Sequence, residues 1–263
     1  MILLSFDIEE FDVPLEHGVR YDPVAEGMTV SRTGAERILD VLRRSGVRAT
    51  FFCTGNFASN APDIIRRFVS EGHEVACHGV DHWQPKPADV HESKAIVGRV
   101  AGITPRGYRQ PRVFAVSDEE LQRAGYDYNS SLNPAFIPGR YMHLRTPRTW
   151  FMQDGVMQIP ASVSPWLRIP MFWLSLHNFP LWLYKALCRR IVKHDGYFNT
   201  YFHPWEFYPL GEHPELKIMY IVKRHAGKDM YNRLKEVILD LKSRGYEFGT
   251  YSEFAASKVK SIN

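Results

Sequence analysis

Two imidazoles four positions apart, His78 and His82 in the stretch HEVACHGVDHW, have the spacing of a metal grip. If the backbone turns helical after Cys77, both rings lie on one face, about one turn apart. Neutral imidazole suits zinc, cobalt, nickel or iron(II). In a chain with 11 histidines the same spacing also fits a pair of surface or capping residues. A second stretch, MILLSFDIEEFDV, runs an apolar segment into Asp7, Glu9 and Glu10. Strand side chains alternate, so Asp7 and Glu9 point the same way while Ile8 turns back into packing. A third stretch, NTYFHPWEFYP, is β-rich and ends in His203, where a histidine held by a following proline and aromatic is a natural general acid. Arg109, in PRGYRQPR, would orient Asp7 by its charge and its fork of donors if the two meet. Read from that segment alone, a surface arginine is the plainer interpretation.

These groups need strands that end close together. In folds alternating strand and helix, ligands gather at the carboxyl ends of the strands. The first third of the chain alternates in this way. An apolar strand ends at Asp7, and residues 14–32 follow as a loop over that end. Thr33 to Glu36 has the form of a capping box for a helix that closes at Gly46. Residues 47–54 form a second strand. Asn60, Pro62 and Asp63 open a second helix, closed by Gly72, and residues 75–77 form the strand that delivers the histidines. A helix over 91–101, a short strand ending near Pro111, a helix capped by Ser117 and a strand over 126–131 continue the alternation. Residues 145–161 read as a hairpin around Gly155, residues 228–244 as an amphipathic helix and 246–251 as the last strand. Parallel strands with crossover helices, α/β class, are the expected outcome.

Length and composition narrow the class. With 263 residues, 44% of them hydrophobic, the chain can bury a barrel-sized core, and we expect a single domain over 1–263. Its 33 basic and 29 acidic residues are interspersed, giving +4 and no basic block, so composition makes no case for a nucleic-acid partner. Cys53, Cys77 and Cys188 are widely spaced among apolar neighbours and read as buried thiols. The first residues run straight into acid rather than into a long apolar leader, so a cytoplasmic location is expected. The most apolar stretch, PWLRIPMFWLSLHNFPLWLYKALCRRI, is broken by Pro170 and Pro180. A core helix pair, with its aromatics packed inside, is favoured there over contact with a membrane surface.

Taken together, SFDIEEF, TFFCTGNFA, HGVDH, RQPR and YFHPWE resemble, in order, the motifs of the polysaccharide deacetylases. These are metal-dependent N-deacetylases of carbohydrates sharing the NodB-type domain. The likeness runs from Leu3 to about Phe254 and is nearest to the subgroup that includes peptidoglycan deacetylase-like enzymes of intracellular location. It implies a distorted, incomplete (β/α) barrel of about seven parallel strands. It also implies a divalent metal, zinc foremost, held by Glu9, His78 and His82. Asp7 becomes the general base, His203 the general acid and Arg109 the residue that holds Asp7. The implied reaction is hydrolysis of an N-acetyl group on an amino sugar of a glycan or glycan precursor. Three positions depart from the commonest pattern. Ile8 replaces a carboxylate, which moves the ligand to Glu9; Arg112 stands where an aromatic often follows the proline; and Asn129 stands where an aspartate commonly tunes the catalytic histidine. The alternatives are a metal-independent amidohydrolase on the same scaffold and an inactive glycan-binding domain.

Overall fold

Seven strands run parallel in succession, which is the arrangement the alternation predicts. The computed structural model describes residues 1–137, 141–142 and 144–260. Its strands are β1 (Ile2–Ile8), β2 (Thr50–Cys53), β3 (Glu74–Cys77), β4 (Gly107–Tyr108), β5 (Tyr128–Asn129), β6 (Phe136–Ile137), β7 (Tyr141–Met142), β8 (Phe151–Gln153), β9 (Val156–Gln158), β10 (Phe198–Phe202) and β11 (Phe248–Gly249). The helices are α1 (Val13–Glu16), α2 (Met28–Ser45), α3 (Gly55–Asn60), α4 (Pro62–Ser70), α5 (Asp89–Ala101), α6 (Asp118–Arg123), α7 (Trp173–Asn178), α8 (Leu181–Asp195), α9 (Tyr220–Lys223), α10 (Lys228–Ser243) and α11 (Tyr251–Val259). The main sheet has the order β10-β1-β2-β3-β4-β5-β9-β8. Every pairing from β10 to β9 is parallel, β8 closes back antiparallel on β9, and β11 adds to β1.

The sheet curls into an incomplete barrel. Between β9 and β10 the seam is stitched by single residues rather than by a strand ladder. Ser162 N donates to the Asn199 carbonyl at 3.1 Å, Asn199 N to Ser162 Oγ at 2.9 Å, and Asn199 Nδ2 to the Pro160 carbonyl at 2.8 Å.

The period of two along β1 sorts its residues between the two sides of the sheet. Ile2, Leu4, Phe6 and Ile8 join the cluster that packs against the helices. Leu3 joins Phe52, Tyr128, Met157 and Tyr251 on the inner side. Ser5, Asp7 and Glu9 continue that inner row, so two carboxylates reach the barrel mouth because Ile8 is spent on packing.

Four local expectations need correction. Residues 14–32 are not one open loop: α1 and a π-helical turn, Pro23–Gly27, lead into α2, which starts at Met28. Thr33 therefore sits inside α2, with its hydroxyl on the Thr29 carbonyl, and caps nothing. Asn60 likewise donates back to the Asn56 carbonyl from the end of α3 and does not cap α4. In the apolar stretch after residue 164, Tyr184, Cys188 and Ile191 are core, but Trp166 and Trp182 are 76% and 69% exposed. Trp166 lies in a turn before the helices of this stretch and Trp182 in the first turn of α8, so neither is packed inside. Among the described residues no helix is long and apolar enough to cross a membrane. All three cysteines are buried free thiols, as expected.

Gly34, read from sequence as part of a cap, has a packing role instead. A Cβ there would lie 1.8 Å from the Pro204 carbonyl oxygen, so α2 can approach the segment after β10 only with hydrogen at this position. Gly34→Ala must push back the residue next to His203, and we expect a loss of about 1–3 kcal/mol. The expected result is a lowered unfolding midpoint together with reduced activity of the folded fraction. An unchanged midpoint would refute the close approach.

Candidate active site

The candidate groups gather at the carboxyl ends of parallel strands. Glu9 follows β1, His78 follows β3, Arg109 follows β4 and His203 follows β10, while Asp7 lies in the last turn of the pleat of β1. They line one cleft of about 430 Å³ with Tyr201, Trp173 and Trp205.

Glu9, His78 and His82 offer ligand atoms that all lie within 4.8 Å of one another. The route to this grouping is not the helical one. Residues 78–88 contain no helix, and Gly79, at φ +69°, turns the chain between the two histidines. The rings still come to 5.7 Å between centroids because long-range carboxylates hold the loop. Glu10 accepts from Thr54 Oγ1 at 2.7 Å, Asn56 Nδ2 at 3.0 Å and the His82 backbone N–H at 3.2 Å. Asp12 Oδ2 meets His82 Nδ1 at 2.7 Å, and the Arg109 carbonyl meets His78 Nδ1 at 2.8 Å. Both Nδ1 atoms thus face acceptors and must carry hydrogen, which leaves each Nε2 to point at Glu9.

Glu9 Oε2 is buried with no hydrogen-bond donor, 3.4 Å from His78 Nε2 and 3.1 Å from His82 Nε2. Its other oxygen faces Trp205 Nε1 at 3.4 Å. An anion facing two imidazole lone pairs is electrostatically unfavourable unless a positive charge lies between them. The residues present therefore fit a divalent cation. In its absence a proton substitutes. Burial pulls His82 down, but the charge of Glu9 and the bond and charge of Asp12 outweigh it and push it up to about 9. Burial would raise Glu9, yet His82, His203 and His78 hold it down at about 2.

Asp7 lies beside this grouping. Arg109 donates from Nη1 to Asp7 Oδ1 at 2.5 Å, as expected, and is not a surface residue. Its remaining donors go to the Ser130 carbonyl, to Ser130 Oγ at 3.0 Å and to Tyr251 Oη at 3.0 Å, with the guanidinium 4.0 Å from the Phe52 ring centre. Asp7 Oδ2 is left facing His203 Nε2 at 4.0 Å.

His203 stacks on Trp205 at 4.9 Å and is held from behind by Glu206, whose Oε1 lies 3.0 Å from His203 Nδ1. Glu206 Oε2 in turn meets His177 Nε2 at 3.0 Å, and His177 Nδ1 meets the Arg224 carbonyl. Burial lowers His203, but Glu9, Glu206 and Asp7 together raise it, favouring the proton-carrying form. Asn129 does not take part: its Nδ2 donates to Gln158 Oε1 at 2.9 Å and its Oδ1 accepts from Ser131. Glu206, three residues past the histidine in HPWE, supplies the carboxylate that Asn129 lacks. Arg112 turns through the left-handed region at φ 55° and pairs with Glu16 at 2.6 Å.

Glu10, Asp12, Glu206 and His177 were not foreseen as partners of the site. The acids of DIEEFD and the last letter of HPWE were visible signals. His177 gave none.

Residues 21–128 match the family model for polysaccharide deacetylase. Over that span the chain is similar to the polysaccharide deacetylases. The matched span holds His78, His82 and Arg109 and leaves β1 and β10 outside. Among polysaccharide deacetylases, a chitooligosaccharide deacetylase of Bradyrhizobium sp. is 43% identical over 82 residues, 28% of this chain and 37% of that one. A peptidoglycan deacetylase of Helicobacter pylori is 25% identical over 157 residues, 56% of this chain and 53% of that one. The chain thus spans about half or less of the length of these relatives. A crystal structure of a Mycobacterium smegmatis protein assigned to the polysaccharide deacetylases shares the fold, with TM-score 0.64 at 20% identity over 97% of this chain and 88% of that one.

Proposed function

We propose that this protein hydrolyses the N-acetyl group of an amino sugar in a glycan or glycan precursor, with Glu9, His78 and His82 holding a divalent cation, zinc foremost. The observation that carries this reading is Glu9 Oε2, buried without a donor between two imidazole nitrogens. When bound there, a divalent cation supplies Lewis acidity, polarising the acetyl carbonyl and easing deprotonation of water. Asp7 Oδ2 accepts the proton of the water that attacks the acetyl carbon, while Arg109 fixes the carboxylate through Oδ1. The backbone N–H of Arg112, in its left-handed turn on the cleft wall, is the donor assigned to the developing oxyanion. His203 delivers its proton to the sugar nitrogen as the C–N bond breaks, giving acetate and a free amine. The test is acetate release from N-acetylated sugars by protein of known metal content.

A metal-free amidohydrolase is the second reading, favoured by one observation: a protonated His82 satisfies Glu9 without any cation. The two readings differ in their response to pH. A cation must displace the His82 proton, so its affinity should rise with pH and level off above about 9. Near neutrality about one proton should leave per cation bound, measured by calorimetry in buffers of different ionisation enthalpy. Affinity independent of pH would remove His82 from the ligand set.

Glu206→Gln provides a separate check on His203. Glu206 raises the histidine, and a general acid must be protonated to work, so its loss should move the alkaline limb of kcat/KM to lower pH. Metal content should not change. An unmoved limb would assign the proton donor elsewhere.

A further inference from the structure

Exposed apolar side chains stand around the mouth of the cleft. In the segment after β10, residues 216–224, Leu216, Ile218 and Val222 are buried in a cluster with Phe11, Trp205 and Leu210. Met219, Tyr220 and Ile221 are instead 47%, 67% and 47% exposed. Met219 and Ile221 line the cleft, as does Phe114, 54% exposed in the segment after β4. Two residues of α7 hold the segment in place: Asn178 Nδ2 donates to the Ile221 carbonyl at 2.9 Å, and His177 Nδ1 meets the Arg224 carbonyl. Single exposed apolar residues are ordinary, but a group of them held beside a site entrance marks an interaction surface.

Trp182 extends the group along the same end of the barrel. α8 runs down to the start of β10 and packs antiparallel on it, with Tyr184 Oη 3.3 Å from Thr200 Oγ1, so its first turn lies at the carboxyl ends of the strands. Trp182, in that turn, is 69% exposed. Trp166, 76% exposed, lies at the other end, its ring 6.4 Å from that of His194 in the last turn of α8. The two tryptophans are thus alike in exposure and separated by the length of the helix.

Charge narrows the choice of partner. Lys217, Lys223, Arg224 and Lys228 flank the three apolar residues in the chain, Lys223 half-buried and the others exposed. Among the described residues no ion pair engages any of the four. The neighbouring acids are turned to imidazoles, Glu215 to His213 at 2.9 Å and Asp229 to His225 at 3.4 Å. Apolar side chains beside unpaired bases suit an anionic bilayer, where the first enter the headgroup layer and the second meet lipid phosphates. A second copy of this chain would set the same bases against each other, and lysine is depleted at protein interfaces.

We propose that this end of the protein docks on an anionic lipid bilayer through Met219, Tyr220, Ile221 and Trp182, with Lys217, Lys223, Arg224 and Lys228 drawn to the headgroups. Docked so, the cleft opens onto the headgroup layer. The contact is peripheral, since no described helix is long and apolar enough to cross. It stands apart from the reaction proposed above, because its measurement is binding alone.

The full chain is sedimented with vesicles of phosphatidylcholine and with vesicles in which part of that lipid is replaced by phosphatidylglycerol, at low and at physiological salt. The expected result is binding at least about tenfold tighter to the anionic vesicles, weakened by salt as the screening length shortens to about 8 Å. Tyr220→Glu and Trp182→Glu should each weaken it, and Lys223→Gln combined with Arg224→Gln should shrink the preference for anionic lipid. Trp166→Glu, at the far end, should bind as wild type does. These side chains are largely solvent-facing, and an unchanged unfolding midpoint checks that each variant is folded. No binding to anionic vesicles, equal binding to neutral ones, binding that survives both Tyr220→Glu and Trp182→Glu, or an equal loss in Trp166→Glu would overturn the proposal. Light scattering without vesicles tests the other occupant: self-association abolished by Tyr220→Glu would assign the surface to a second copy and overturn the bilayer contact.

Discussion

Asp7→Asn should lower kcat on the order of a hundredfold or more while the protein keeps its full complement of divalent cation. The asparagine preserves the shape of the side chain and one acceptor for Arg109, which donates to Oδ1 at 2.5 Å. What it loses is a basic oxygen in place of Oδ2, the atom left facing the cleft and 4.0 Å from His203. Steady-state kinetics with metal analysis of the same preparation decides the matter. If Asp7→Asn strips the metal instead, the carboxylate roles are exchanged and Glu9 is the base.

His78→Ala should abolish both stoichiometric metal and activity. His78 is one of three converging ligand groups and is almost wholly buried, with Nδ1 committed to the Arg109 carbonyl at 2.8 Å. Its removal leaves one imidazole and one carboxylate, too few to hold a cation against water at ordinary concentrations. Elemental analysis of protein purified without chelator gives the readout. Full metal content in the variant would exclude this assignment and return the metal-free reading to first place.

The groups that gather at strand ends were legible because they rest on short-range rules. Period-two alternation places Asp7 and Glu9 on one side and Ile8 on the other, and strand ends in an alternating fold share one rim. The groups that hold them in place were not legible. The spacing of His78 and His82 invited a helix, whereas the loop takes its shape from Glu10 and Asp12, about seventy residues away in the chain. His177 reaches Glu206 across 29 residues and a change of element. Local propensity carries no information about such contacts. Gly34 shows the same limit in packing, since its absent side chain makes room for Pro204 rather than serving any turn of its own.

The position of β1 has a consequence for how the chain reaches this state. Its edges are taken by β2, by β10 and by β11, and Ser5 on β1 already contacts the Thr200 carbonyl across 195 residues. During synthesis the strand carrying Asp7 can pair with β2 early, but its other edge stays open until residues 198–202 have emerged. Such distant pairing makes folding slow and leaves an unpaired apolar edge exposed meanwhile. Asp7, the proposed base, is therefore among the last groups to be locked in place, and a nascent chain stalled before β10 presents an aggregation-prone strand rather than a partly assembled site.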